Sequence, residues 1–136
     1  MKKYEILEHK ADLKIRAFGK TKEELFLNAL SGMMESLEPE VKKPGEIRKR
    51  EIKIKSPDFS ALLVDFLSEV LYQSQVNKEI YNILKFKKFS GSELEAELLG
   101  QKVERFGEDI KAVTYHNLDV RQKKDKTWEA TILFDI

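Results

Sequence analysis

Apolar and charged residues alternate near the start of the chain, which predicts a strand over residues 13–17 with one buried face and one wet face. A short stretch at residues 4–8 predicts a preceding strand, and residues 9–12 interrupt the pattern between the two. Gly19 marks the end of the second strand. The chain is therefore expected to begin with two strands joined by a polar connection.

Two later segments repeat apolar residues at the three- and four-residue spacing of a helix. The first opens with Thr21 and Glu24 in a capping-box pattern, and its apolar stripe runs to Leu37. The second follows Ser56-Pro57-Asp58, a sequence that commonly starts a helix, and its stripe ends near Asn77. Both stripes are broad enough to predict that each helix packs against a core.

The rest of the chain is mostly predicted strand. Within residues 80–89 the odd-numbered positions from Tyr81 to Phe89 are predicted to share one face, and Gly100 is predicted to mark a turn. The order of elements favours an α+β fold in one domain over residues 1–136, with a largely antiparallel or mixed sheet and two helices packed on one face. The predicted strands lie at 47–55, 80–89, 93–98, 118–120 and 128–134, with a hairpin tip at 123–126 and one helical turn within 109–116.

Composition narrows the class of protein. The 25 Lys and Arg residues nearly balance the 24 Asp and Glu residues, which argues against a protein that coats nucleic acid through a basic excess. Cysteine is absent, so disulfides, thiolate metal sites and a cysteine nucleophile are excluded. No apolar run approaches the roughly 20 residues of a membrane span, so a cytoplasmic protein without a membrane partner is expected. Abundant Lys and Glu is typical of hyperthermophile proteins and predicts melting above about 65 °C.

Asp12 and Asp135 are the candidates for a metal site. Asp12 lies in the break between the first two strands, and Asp135 directly follows the last predicted strand, next to the terminal α-carboxylate of Ile136. If the fold brings Asp12 close, three carboxylates converge and need a cation to offset their repulsion. Oxygen ligands favour a hard ion, Ca²⁺ or Mg²⁺. The alternative is a turn residue at Asp12 and a solvated terminus at Asp135.

The histidines and the basic runs leave alternatives open. For His9 and His116, hydrogen bonds at a loop or strand end are favoured over a functional role. The basic runs contact RNA phosphates only if they share one face, and nearby acidic residues weaken their field, so direct RNA binding stays undecided. These runs lie at residues 48–50, 85–88 and 121–126, and the acidic residues lie within 93–97.

Four segments together resemble the archease family, and their order and spacing cover essentially the whole chain. The usual family opening is His-Thr-Ala-Asp, and Lys10 replaces the threonine here, at a position outside the candidate ligands. The segments are His9-Lys10-Ala11-Asp12 with Ile15-Arg16-Ala17-Phe18-Gly19, then Leu62-Leu63-Val64-Asp65-Phe66-Leu67, then Ile110-Lys111-Ala112-Val113-Thr114-Tyr115-His116, and the ending Trp128-Glu129-Ala130-Thr131-Ile132-Leu133-Phe134-Asp135-Ile136.

The resemblance implies a small α+β protein that assists an RtcB-type RNA ligase in tRNA splicing and RNA repair. Such a protein promotes ligase guanylylation and multiple turnover, and is an activator rather than an enzyme. The resemblance also implies a divalent cation at Asp12, Asp135 and the carboxylate of Ile136. Lys111 matches a family position important for ligase activation.

Within the family motifs, His9 and His116 are further ligase-activation candidates without an assigned role. Two other hypotheses on function remain beside ligase activation. The family also suggests a chaperone or specificity modulator of a tRNA cytosine-5 methyltransferase. A stand-alone metal-dependent enzyme is disfavoured, because no activated nucleophile or general base stands out beside the carboxylates.

Overall fold

A computed structural model describes residues 1–8, 12–41 and 45–136 of the chain. Its elements follow one another with short connections, and every strand pairing is antiparallel. In chain order they are β1 (Tyr4–Glu8), β2 (Asp12–Gly19), α1 (Lys22–Ser36), β3 (Pro39–Glu40), β4 (Arg48–Lys55), α2 (Phe59–Asn77), β5 (Glu79–Phe89), β6 (Glu93–Lys102), β7 (Arg105–Phe106), β8 (Ala112–Gln122) and β9 (Trp128–Asp135).

The predicted α+β fold class is confirmed, and the strands divide among three sheets. The largest has the order β1-β2-β9-β8, a second has the order β4-β6-β5, and β3 pairs with β7 alone. Helix α1 packs mainly on β2 and also contacts β5, whereas α2 packs mainly on β8 and also contacts β4 and β5. Both helices therefore contact the two larger sheets and close one shared core.

Side-chain hydrogen bonds begin both helices where the sequence predicts them. The Thr21 hydroxyl accepts a hydrogen bond from the backbone N–H of Glu24, and the Asp58 carboxylate accepts one from Ala61. These bonds satisfy backbone donors that a helix leaves free at its start. At the other end of α2, Lys78 takes a left-handed conformation with a φ of 54°, which stops the helix.

The alternation in β2 and β9 fixes which side chains face the core. Leu13 lies opposite Phe134 and Ile15 lies opposite Ile132, and all four are buried. Burying each such side chain stabilises the fold by about 1.5–3 kcal/mol. Because successive side chains of a strand point to opposite faces, the residue before Leu13 lies on the outer face of the sheet.

The face predicted for β5 is wrong beyond Tyr81. Register shifts at Asn82 and Lys87 each insert one extra residue, so the inward face passes from Tyr81 to Leu84 and Phe86. Ile83, predicted to share a face with Tyr81, is instead 44% exposed, whereas Tyr81 is buried. The cause is the β-bulge, which reverses the side-chain alternation after each extra residue.

The turn predicted at Gly100 and the helical turn predicted within 109–116 are also wrong. Gly100 continues β6, and a Cβ at this position would overlap the carbonyl oxygen of Ile80 on the neighbouring strand. Close approach of two backbones is a common reason for glycine inside a strand. Residues 109–111 lead directly into β8, whose first residue pairs with Asp135.

Candidate functional site

The start of β2 and the end of β9 bring two carboxylates together. In the antiparallel register Asp12 lies directly opposite Asp135. Asp12 precedes the buried Leu13, and Asp135 follows the buried Phe134. Because successive side chains of a strand point to opposite faces, both aspartate side chains lie on the outer face of the sheet. Directly opposed residues of this kind have Cβ atoms about 4.5–5.5 Å apart. The tertiary structure thus places near each other two residues that are 123 positions apart in the sequence.

The Asp12 carboxylate lacks a hydrogen-bond donor for one of its oxygens. Among the described residues Oδ1 of Asp12 is buried and has no hydrogen-bond partner. Leaving a buried charged acceptor unsatisfied is costly, and two like charges placed directly opposite in a sheet are destabilising. A divalent cation bound to both carboxylates would relieve both costs, so the residues present fit a hard-cation site.

The donor set at this position is small. Asp135 is exposed, and Ile136, the next residue in the sequence, is half-buried and packs against the core. Within the described ranges, no group of three or more His, Asp or Glu side chains comes close enough to hold a metal ion. The site predicted from the sequence therefore relies on two side chains and on the main-chain carboxylate of Ile136 as its third donor.

Lys111 lies beside the aspartate pair through its backbone. Its N–H donates a 2.7 Å hydrogen bond to the carbonyl oxygen of Asp135. Its exposed side chain lines a cavity of about 630 Å³ formed by residues 104–111 with Leu37, Gln75 and Lys78. The Gln75 amide donates a 2.7 Å hydrogen bond to the carbonyl of Ile110, which holds the segment just before Lys111. These hydrogen bonds fix the backbone of Lys111 next to Asp135.

An acidic cleft lies next to Ile136. Its volume is about 330 Å³, and Ile136 lines it together with Glu35, Glu38 and Glu108. Tyr4 donates a 2.7 Å hydrogen bond to Glu35, and burial followed by this bond raises the pKa of Tyr4 to about 12. Several carboxylates near one cleft attract cations and repel anions. The cleft beside Ile136 is therefore negative in character.

His116 lies away from the aspartate pair. It is exposed within residues 115–118, where β8 carries extra residues that do not pair with β9. Residue Ala112, opposite Asp135, is four positions earlier, on the order of 10 Å along the strand. His9, the other histidine candidate, lies outside the described residues. The structure therefore separates His116 from the carboxylates.

A tyrosine holds the irregular part of β8 against α2. The Tyr115 hydroxyl donates a hydrogen bond to Asp65, which also accepts a 2.6 Å bond from Ser56. This hydrogen bond, with partial burial, raises the pKa of Tyr115 to about 12. Asp65 therefore fixes the segment that displays His116.

Sequence reasoning missed a buried charged network just after the end of α2. Glu79 is 1% exposed, and Arg50 donates to both of its oxygens at 2.9 and 2.8 Å, while the Tyr81 hydroxyl donates at 2.7 Å. Burial raises the pKa of Glu79, but the bonds from Arg50 and Tyr81 and the Arg50 charge outweigh it. The pKa of Glu79 consequently lies below its ordinary value. Glutamate directly after a helix end, followed by alternating apolar residues, was the available signal.

Most of the positive charges in two of the three basic runs are paired with carboxylates because of the sheet order. Strand β6 lies between β4 and β5, so its glutamates face lysines on both sides. Arg121 of the third run pairs with Asp119 and Glu129. The pairs on the three-stranded sheet are Lys49–Glu97, Lys53–Glu95, Lys55–Glu93, Lys88–Glu93 and Lys87–Glu51, at 2.5–3.8 Å. These lysines are not a free surface for RNA phosphates.

Two helices on the β1-β2-β9-β8 sheet, with paired aspartates closing one sheet end, define a small α+β protein. No helix among the described residues is long and apolar enough to cross a membrane. The family model described as Archease protein family (MTH1598/TM1083) matches residues 4–136. The chain therefore belongs to the archease family, as its sequence motifs predict.

Relatives and solved structures agree with this assignment. Protein archease of Methanosarcina barkeri is 38% identical, with 99% of this chain and 97% of that protein covered. Protein archease of Thermococcus kodakarensis is 31% identical over the full length of both chains. The solution structure of Methanobacterium thermoautotrophicum protein 1598 is similar with a TM-score of 0.71, at 27% identity and full coverage of both chains.

A crystal structure of an archease from Thermotoga maritima, described as a possible chaperone, is similar with a TM-score of 0.69. It covers 96% of this chain and 94% of its own, at 20% identity. At that identity the likeness establishes the fold alone.

Proposed function

We propose that this protein activates an RtcB-type RNA ligase in tRNA splicing and RNA repair, and is not itself a ligase. It promotes guanylylation of the ligase and allows each ligase molecule many turnovers. The observation that carries the proposal is the aspartate pair Asp12–Asp135, whose buried Oδ1 on Asp12 has no partner among the described residues, in a member of the archease family.

In this proposal a divalent cation, Ca²⁺ or Mg²⁺, is held by Asp12, Asp135 and the carboxylate of Ile136. Calcium takes six to eight oxygen ligands, and magnesium keeps several waters in an octahedral shell. A small set of donors from this chain leaves positions for water or for oxygens of the partner. When bound, the cation supplies charge neutralisation at phosphate oxygens, which nucleotidyl transfer requires.

The residues of this chain orient the site for the partner. Asp12 and Asp135 hold the cation at the outer face of the sheet, where a ligase can reach it from the side of the exposed Asp135. The amide of Lys111 fixes the carbonyl of Asp135. The exposed Lys111 side chain then supplies a positive charge suited to a nucleotide phosphate or a ligase carboxylate.

The direct test is RNA ligation with the ligase limiting and the RNA in excess. Without the added protein, the product is expected to plateau near one equivalent of ligase. With it, many equivalents are expected, and the guanylylated ligase accumulates faster. The same plateau with and without the protein would overturn the proposal.

A second candidate is a chaperone or specificity modulator of a tRNA cytosine-5 methyltransferase. Tyr72 and Val76 lie one turn apart on α2 and are 58% and 62% exposed, an apolar pair typical of protein contact sites. The Thermotoga maritima relative is also described as a possible chaperone. A gain in methyltransferase specificity that persists in a Tyr72→Ala/Val76→Ala variant would contradict this use of the helix.

Extending the chain beyond Ile136 is expected to weaken cation binding at least tenfold. A C-terminal tag converts the α-carboxylate into an amide, which removes one charge and one oxygen ligand. The same tag at Met1 lies at the far end of the sheet and serves as the matched control. Isothermal titration with Ca²⁺ and with Mg²⁺ measures both proteins. Equal affinities would remove Ile136 from the ligand set and leave the aspartates.

A further inference from the structure

The end of the main sheet opposite the aspartate pair carries a concentration of lysines. Strand β2 runs eight residues from Asp12 to Gly19, so the two ends are about 24 Å apart. The N-terminal residues, the β2–α1 turn and the β8–β9 hairpin all meet there. Its lysines, called the lysine end below, are Lys3, Lys20, Lys22, Lys123, Lys124 and Lys126.

Contacts on the structure hold these segments together. The carbonyl of Lys3 accepts a 2.9 Å hydrogen bond from Phe18, and Lys20 lines the same surface cleft as Lys3. The Lys123 ammonium lies 5.6 Å from the Phe18 ring centre. The Lys22 ammonium lies 5.2 Å from the ring centre of Trp128. Lysines from three parts of the chain therefore share one end of the molecule.

These lysines are unlike those of the three-stranded sheet. In the described part of the chain, none of the six has a carboxylate oxygen within 4 Å, whereas most lysines beside β6 are paired. Three carboxylates near this end, on Glu24, Asp58 and Asp125, accept backbone hydrogen bonds and form no ion pair with the six lysines. The lysine end is therefore a positive region on a nearly neutral protein.

We propose that the lysine end binds the phosphate backbone of RNA. Nucleic-acid interfaces are polar and strongly positive, whereas protein interfaces are depleted in lysine and built on aromatic anchors. The aromatic rings here, Phe59 and Trp128, are half-buried and already face Lys22. Met1 is the one exposed large apolar residue of this end among those described, which disfavours a membrane anchor.

The choice of RNA over other polyanions rests on the proposed ligase role. The argument that the lysine end binds a polyanion rests on its charge and does not depend on that role. A cation site at one end and phosphate-binding lysines at the other would let one molecule contact the ligase and hold its RNA. Lysines contact phosphates without reading bases, so binding is expected to be weak, salt-dependent and indifferent to sequence.

The test is direct binding of a labelled single-stranded RNA 20-mer, without ligase, followed by fluorescence anisotropy at several salt concentrations. The wild type is expected to bind with a Kd of about 1–100 µM at physiological salt. The Lys123→Gln/Lys124→Gln/Lys126→Gln variant is expected to bind at least tenfold more weakly. In this variant the slope of log Kd against the logarithm of the salt concentration should fall by about 2, because each lost lysine contact to a single strand contributes about 0.7.

The control variant is Lys49→Gln/Lys53→Gln/Lys55→Gln, which removes the same charge from paired lysines of the other sheet. It is expected to change the Kd less than threefold. Equal losses in both variants, or no RNA binding by the wild type, would overturn the proposal. So would equally tight binding to a polyglutamate peptide or to phosphatidylserine vesicles. Any of these results leaves ligase activation, tested with the aspartates, intact.

Discussion

An Asp12→Asn variant is expected to abolish the multiple turnovers that the wild-type protein gives to the ligase, while folding at least as stably. Asparagine keeps the size of the side chain but removes its charge, so the repulsion from Asp135 disappears. The metal-free variant should therefore be as stable as the wild type or slightly more stable. The variant loses a charged ligand, and its cation affinity should fall at least tenfold.

Thermal unfolding with and without Ca²⁺ or Mg²⁺ separates the two roles of Asp12. At 100 times the Kd a bound cation stabilises the wild type by about 2.7 kcal/mol, and the variant should lose most of this gain. Asp119→Asn, on an exposed stretch of β8, is the matched control and should retain both activation and the cation response. Full ligase activation by Asp12→Asn, or an unchanged cation response, would contradict the proposed site.

Replacing Glu79 with glutamine is expected to lower the free energy of unfolding by about 2 kcal/mol at pH 7, because a charge-assisted hydrogen bond contributes about 1.5–3 kcal/mol. Glu79 is buried and accepts both bonds of the Arg50 guanidinium. Glutamine retains one acceptor for the Tyr81 hydroxyl but loses the charge that Arg50 faces. The effect is expected on stability, because the Glu79 side chain bonds Arg50 and Tyr81 and takes no part in the aspartate pair.

The loss should depend on pH in a defined direction. The pKa of Glu79 is lowered by folding, so its contribution is complete above the unfolded pKa near 4.3 and disappears as the pH falls through the folded pKa. Urea unfolding curves of wild type and Glu79→Gln should differ most near pH 7 and converge in acid. Glu95→Gln, which breaks an exposed pair with Lys53, should have a much smaller effect. If the difference in unfolding free energy between wild type and Glu79→Gln does not shrink in acid, the loss of stability comes from packing and not from the charge of Glu79.

The elements that alternate regularly could be predicted from the sequence. Residues 13–17 and 128–134 alternate without interruption, so their inward faces follow from the two-residue period of a strand. The helix starts at Thr21 and Asp58 are local, because a side chain bonds a backbone N–H three residues later. Strand β5 could not be predicted in the same way, because nothing local marks the extra residues at Asn82 and Lys87.

The candidate site divides in the same way between local and long-range information. Residue type and the family motifs identify Asp12, Asp135 and Lys111 as candidates, because oxygen ligands and a lysine charge are properties of single residues. Whether they meet depends on β2 pairing with β9 and β9 with β8, an order that no local pattern specifies. The same pairing separates His116 from them.

The sequence alone determined the periodicity, the helix caps and the chemistry of each side chain, because these depend on near neighbours and on the residue itself. Only the tertiary structure decided that Asp12 faces Asp135, that Glu79 is buried against Arg50, and that lysines of the three-stranded sheet are paired while those of the lysine end are not. The physical reason is that sheet order and register are set by burial of the whole core. Charges distant in sequence are brought into contact, or kept apart, by that burial.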